Sequence, residues 1–208
     1  HEVMGRNCGW LTAATARYYK DRLNQKIFYN DNGLYQKRWD IHAIYIPEID
    51  IDIESESKRL NHIMDEHDCV NIFLSEGAGI DNIIKDLKSS GKEIKKDAFG
   101  HVRLDEINPG QWYAKKIAEW TNAKKILVQK SGYFARSASP NQNDISLIDT
   151  TSEKAVNYAL ANTSGVIALS DESNQIECID FNRIKGGKPF NPKQDWFKNI
   201  LINIGQMR

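Results

Sequence analysis

The chain has no excess of either charge: 28 lysines and arginines stand against 28 aspartates and glutamates in 208 residues. That balance excludes the basic footprint that a nucleic-acid or anionic-membrane surface requires. Cysteine is scarce, with three residues (Cys8, Cys69 and Cys178) that are odd in number and widely spaced. This excludes a disulfide framework and a zinc-ligand pattern, and points to a reducing, cytoplasmic setting. No apolar run approaches the length of a membrane span, and the first residues carry neither the basic nor the apolar region of a signal peptide. Internal repeats and low-complexity linkers are missing too. Gly77 and Gly79 lack the G-x-G-x-x-G spacing of a dinucleotide fingerprint. Lys185-Gly-Gly-Lys188 lacks the spacing and the Ser/Thr of a Walker A loop, which leaves a plain turn.

What is present is a regular alternation of short apolar runs with helical patterns. Val3 and Met4 read as the end of a buried strand, followed by a polar loop in which Gly5 and Gly9 permit a tight turn. A helix is expected over Leu11–Leu23. Asn24–Asp40, with the turn signal Asp31-Asn32-Gly33, reads as loop or hairpin. Strands are expected at His42–Ile46, stopped by Pro47, at Val70–Leu74 and at Lys125–Gln129, with helices over Glu54–His67, Ile80–Ser90 and Gln111–Thr121. Lys130–Asn143 reads as a loop before a helix over roughly Leu147–Ala161. Gly165–Leu169 and Ile176–Phe181 read as further strands, and Trp196–Ile204 as a closing helix. Strands alternating with helices imply an α/β fold of three layers, with a mostly parallel sheet and helices on both faces, in one sizeable core.

In such sheets ligands gather at the carboxyl ends of the strands. Three loops fall there, after Val3, Leu74 and Gln129. In the first, the backbone N–H groups of a helix start favour an anion, and Arg6 adds a planar fork suited to phosphate or carboxylate. The alternative for Arg6 is a helix cap or a carboxylate partner. In the second, Glu76 leaves a buried strand where it could accept hydrogen bonds from ligand hydroxyls, or else cap the next helix or meet a lysine. In the third, Lys130, Tyr133, Arg136 and several hydroxyls form a mixture suited to phosphate. A surface turn with Arg136 paired to Asp144 or Asp149 is the other reading.

The strings Glu2-Val-Met-Gly-Arg6 with Gly9, Ser75-Glu-Gly-Ala78 and Gly132-Tyr-Phe-Ala-Arg136-Ser137, in that order, resemble the second half of a phosphofructokinase. Asp97-Ala-Phe-Gly-His101, Lys130–Ser137 and Ile184-Lys-Gly-Gly-Lys-Pro-Phe190 resemble the pyrophosphate-dependent branch most, and the resemblance covers essentially the whole chain. It implies transfer of a phosphoryl group to the 1-hydroxyl of fructose 6-phosphate. The residues matching Met4, Gly5 and Arg6 would contact the sugar phosphate, Glu76 would hold sugar hydroxyls, and Tyr133 and Arg136 would hold the 6-phosphate. ATP-using members carry His where this chain has Tyr133, which favours pyrophosphate as donor. Lys130 is an additional candidate phosphate contact, and His101 is read as structural.

The family's Gly-Gly-Asp donor loop and its Thr-Ile-Asp-Asn-Asp segment, which supplies the base and the magnesium environment, occur nowhere in this sequence. The resemblance therefore implies that residues 1–208 are the carboxyl-terminal, fructose 6-phosphate-binding portion, with the donor portion and the Mg2+ site outside it. It further implies a chain that binds sugar phosphate without turning it over alone, and a homo-oligomer, most simply a dimer. An ATP-dependent phosphofructokinase and a non-catalytic sugar-phosphate-binding subunit are the alternatives.

Overall fold

The computed structural model describes residues 1–91, 94, 103, 107–170, 172–184 and 189–207. The Asp97–His101 string, and with it His101, lies outside the described residues, as do residues 185–188 of the Lys-Gly-Gly-Lys turn. Packing divides the chain into two compact units, His1–Tyr133 with Lys188–Arg208, and Phe134–Gly187.

The first unit is built on strands β1 (Glu2–Val3), β2 (Ala43–Tyr45) and β3 (Ile72–Ser75), all parallel and in the order β1-β3-β2. Glu2 lies opposite Leu74 and Ala43 opposite Ile72. Parallel neighbours need crossovers, and helices provide them. These are α1 (Trp10–Asn24) between β1 and β2 and α2 (Ile53–His67) between β2 and β3; α3 (Ile80–Ser89) and α4 (Pro109–Thr121) follow β3, and α7 (Asp195–Asn203) closes the unit.

The two-residue period of a strand sends neighbouring side chains to opposite faces, so the sheet has two cores. Val3, Ile44, Ile46 and Phe73 pack with Ala13 and Ala16 of α1 and with Phe197, Ile200 and Leu201 of α7. Ala43, Tyr45 and Leu74 face the other way, toward Leu60 of α2, Ile83 of α3 and Tyr113 and Ile117 of α4. Helices on both faces of a parallel sheet, the three-layer arrangement expected from the sequence, follow from this alternation. The helix starts are chemically marked: the Asp52 carboxylate accepts the Glu54 and Ser55 N–H groups at 3.1 and 3.2 Å, and Pro109 opens α4.

The second unit contains the rest of helix α5 (Gly132–Ser137), helix α6 (Gln142–Leu160) and strands β4 (Val166–Leu169) and β5 (Ile176–Ile179). The strands form an antiparallel hairpin, with Val166 opposite Ile179, and α6 packs on it. A place for these strands in the parallel sheet is thereby corrected. Only residues 170–175 separate them, too few for a crossover but enough for a turn, with Asn174 in the left-handed region at φ 53°.

Two further expectations need correction. Lys125–Gln129 forms no strand. The Glu2 N–H donates to the Gln129 carbonyl at 2.8 Å, the Ser131 N–H donates to the Glu2 carbonyl at 2.9 Å, and the parallel pairing ends with that Glu2–Lys130 bridge. β1 is too short to template a longer ladder. Of the two readings of residues 24–40, loop or hairpin, the structure has the loop, with two 3-10 turns, Asn30–Asn32 and Gln36–Trp39. The stretch 130–143 is not all loop: α5 lies within it, and α6 starts at Gln142, capped by Asn141 and Asp144 in a reciprocal pair of side chain to backbone bonds.

Candidate functional site

β1 and β3 are adjacent and parallel, so the loops that leave them emerge side by side, and their backbones interlock. The Glu76 N–H donates to the Val3 carbonyl at 3.0 Å. The Ser75 hydroxyl, fully buried, donates to the Gly5 carbonyl, and the Gly5 N–H donates back to Glu76 Oε1 at 3.3 Å. Two glycines make this approach feasible. Gly5 has φ +142°, and a Cβ on it would strike the Cys8 carbonyl oxygen. Gly77 lies directly against the backbone of Arg6, and a Cβ there would collide with the Arg6 carbonyl oxygen. Met4, Gly5, Arg6 and Glu76, all partly exposed, are thus drawn into one small region at the carboxyl edge of the sheet.

The anion expected at the start of α1 is present, and it belongs to the protein. Glu48, at the carboxyl end of β2, accepts the Gly9 N–H with both carboxylate oxygens at 2.9 and 3.1 Å, and accepts the Phe190 N–H at 2.8 Å. Gly9 is the N-cap of α1, which has no side-chain cap of its own, so Glu48 fills the electropositive helix end. Sequence reasoning passed over Glu48. Its only signal was its place just after Pro47 at a strand exit.

Glu2 was also missed. Its carboxylate, largely buried, accepts the Gly110 N–H at 2.8 Å and pairs with Lys130 Nζ at 3.3 Å. Lys130, the additional candidate phosphate contact, thus has one largely buried carboxylate partner, while its side chain remains 39% exposed. A lone charged residue inside a two-residue strand gives no pattern from which either contact could be read.

Tyr133 is 76% exposed and lies on the first turn of α5, whose Gly132 comes close to the Met4 side chain. Arg136, in the last turn of α5, belongs to the second unit and is exposed. Among the described residues it forms no ion pair with Asp144 or Asp149. Asp144 is engaged instead in the cap of α6, accepting the Asn141 N–H at 2.9 Å. The surface-turn reading of Arg136 therefore lacks its carboxylate. Among the described residues there is no group of three or more His, Cys, Asp or Glu that could hold a metal ion.

No family model matches the chain. A protein named pyrophosphate–fructose 6-phosphate 1-phosphotransferase from Methylomonas methanica is 49% identical over 207 residues, which cover 99% of this chain and 51% of that one. A relative of the same name from Propionibacterium freudenreichii is also 49% identical, with the same shares covered. The chain spans about half the length of the curated relatives it matches. Among solved structures, the crystal structure of a pyrophosphate-dependent phosphofructokinase from Nitrosospira multiformis has a TM-score of 0.54 and 16% identity, covering 98% of this chain and 46% of the other. At that identity the likeness bears on the fold, and it matches the sheet and flanking helices described above. Near-half identity thus runs along the whole of this chain and about half of each relative named pyrophosphate–fructose 6-phosphate 1-phosphotransferase, to which the chain is homologous over that length.

Proposed function

We propose that this chain supplies the acceptor-sugar site for phosphoryl transfer from pyrophosphate to the 1-hydroxyl of fructose 6-phosphate, giving fructose 1,6-bisphosphate. The observation that supports this most is the interlock of the β1 and β3 loops. It holds Glu76 against Gly5, and the backbone of Arg6 against Gly77, at the strand ends where α/β sheets bind ligands. Relatives 49% identical carry the name of that activity.

In this reading Arg6 and Arg136 hold the sugar phosphate by charge-assisted hydrogen bonds, Tyr133 adds a phenolic donor, and Met4 and Gly5 shape the approach. Glu76 spends one acceptor position on the Gly5 N–H, and its remaining lone pairs take the furanose hydroxyls. Orientation of the 1-hydroxyl is the chemical contribution of these residues, since phosphoryl transfer rests chiefly on positioning and charge neutralisation. Magnesium, expected for such a transfer, would neutralise the donor from ligands outside the described residues. The protein works in the cytoplasm, as a dimer. Among the described residues no helix is long and apolar enough to cross a membrane.

Isothermal titration of the purified protein with fructose 6-phosphate tests the reading. Binding is expected, weakened at least tenfold by Arg136→Ala, an exposed position whose substitution leaves the fold intact. In the enzyme that carries this chain, the same substitution raises the KM for fructose 6-phosphate far more than that for pyrophosphate. Equal changes in both constants, or turnover with ATP and none with pyrophosphate, would overturn it.

A further inference from the structure

The segment 25–40 has the polarity of a loop but carries Ile27, Phe28, Leu34 and Trp39, an unusual apolar load for a surface connection. The last two turns of α1 and this segment line an open cavity of about 390 Å³. Tyr19, Arg22, Leu23 and Lys26 recur at helical spacing and form one wall, while Phe28, Leu34 and Trp39 form the other. The walls are tied together. The Tyr19 hydroxyl donates to the Trp39 carbonyl, Lys20 Nζ pairs with Asp40 at 2.8 Å, and Gln36 Nε2 donates to Asn24 Oδ1 at 3.0 Å.

The chemistry of this cavity is one-sided. Its surface is almost entirely apolar, and its volume falls in the range of small-molecule sites. Leu34 and Trp39 remain 45% and 53% exposed, and Ile27 79%. The two charged groups on its wall are both cations, Arg22 and Lys26, one helical turn apart. Neither pairs with a carboxylate among the described residues. Arg22 lies in the last turn of α1 and Lys26 just past its C-cap Gln25, where the helix dipole favours cations but supplies no counter-ion. A neutral apolar guest would leave both cations uncompensated, and a sugar phosphate would place its hydroxyls on a floor without partners.

We propose that this cavity binds an amphipathic organic anion, with an aromatic or branched apolar body seated on Leu23, Phe28, Leu34 and Trp39 and a single carboxylate, sulfonate or phosphate held by Arg22 and Lys26. The site is distinct from the acceptor-sugar site. α1 starts at Trp10 beside the Met4–Gly9 loop and first reaches the cavity at Tyr19, about 14 Å along the axis at 1.5 Å per residue.

The test uses 8-anilino-1-naphthalenesulfonate as the anionic probe and N-phenyl-1-naphthylamine as its uncharged counterpart, titrated into the purified protein. One saturable site is expected for the sulfonate. The double substitution Arg22→Gln/Lys26→Gln, both at exposed positions, weakens the sulfonate at least tenfold and leaves the neutral amine unchanged, with circular dichroism confirming an intact fold. Trp39→Ala weakens both probes. Equal binding of the sulfonate to the double variant, or non-saturating uptake at many places, overturns the proposal. So does loss of probe binding as protein concentration rises, which would assign the cavity to a second copy of this chain.

Discussion

At the scale of single residues, the proposed acceptor region rests on positions where a side chain is missing or a carboxylate is engaged by the backbone. Gly77 has no room for a methyl group, because the atom in the way is the Arg6 carbonyl oxygen and backbone cannot swing aside as a flexible side chain can. Gly77→Ala is expected to cost about 2–3 kcal/mol, read as a lower midpoint in urea, and to weaken fructose 6-phosphate binding in parallel by parting the two loops. Unchanged binding in a folded Gly77→Ala protein would separate the interlock from the site. Glu48 is the reverse case, a carboxylate serving as a structural anion. Glu48→Ala strands the buried N–H groups of Gly9 and Phe190 and is expected to cost about 2–4 kcal/mol. Glu48→Gln, which keeps an acceptor oxygen, recovers part of that in the same unfolding measurement. Gly77 stood inside a string that the sequence reading had singled out. Glu48 did not, because its partners are backbone groups at residues 9 and 190, and nothing at residue 48 announces them.

At the scale of elements, local signals and tertiary demand divide the outcome. α2 is written in its own sequence by an apolar spacing and by Asp52 at its start, and Asp52→Ala is expected to cost about 1 kcal/mol in equilibrium unfolding. α5 spans too few turns to show a helical period, and Gly132 at its first position argues against a helix, so its sequence reads as loop. At the entry to β2, His42 ties two segments together. Its Nδ1 accepts the Asn71 N–H at 2.9 Å, and its Nε2 lies 3.0 Å from the Lys37 carbonyl, which fixes the proton on Nε2. Protonation would place a second hydrogen facing the Asn71 N–H. Burial holds the His42 pKa below 6.5, outweighing the upward pull of the Lys37 carbonyl and Asp40, with His67 and Arg59 adding to the depression. The unfolded chain therefore binds the proton more readily. This contribution to stability is complete above pH 6.5 and is lost as pH falls through the folded-state pKa. Proton-detected titration of the imidazole is expected to give a midpoint under 6.5, and a midpoint above it would contradict the assigned hydrogen bonds.

At the scale of the whole molecule, the two units differ in how they cover their apolar surface. The first encloses two cores around its sheet. In the second, α6 buries none of its residues fully, and Ile148, Val156 and Leu160 are 53%, 58% and 79% exposed. Apolar surface of this extent on one helix marks an interaction face. The purified protein is accordingly expected to sediment as a dimer or larger species at micromolar concentration, and Ile148→Lys with Leu160→Lys is expected to shift it toward monomer. A monomer at every concentration would count against the proposed dimer.

The sequence by itself determined the α/β alternation, the positions of α1 to α4, α7, β2 and β3, and the kinship carried by the strings around Arg6, Glu76 and Arg136. These are local: hydrophobic period, turn residues and short motifs all act over a few neighbours in the chain. Only the tertiary structure decided that residues 125–129 stop pairing after one bridge, that β4 and β5 turn back on each other, and that Glu48 and Glu2 anchor distant backbone. Each of those outcomes depends on a partner far along the chain. A sequence read one window at a time fixes what a segment prefers, but a hydrogen-bond acceptor is satisfied only by the group that folding brings to it.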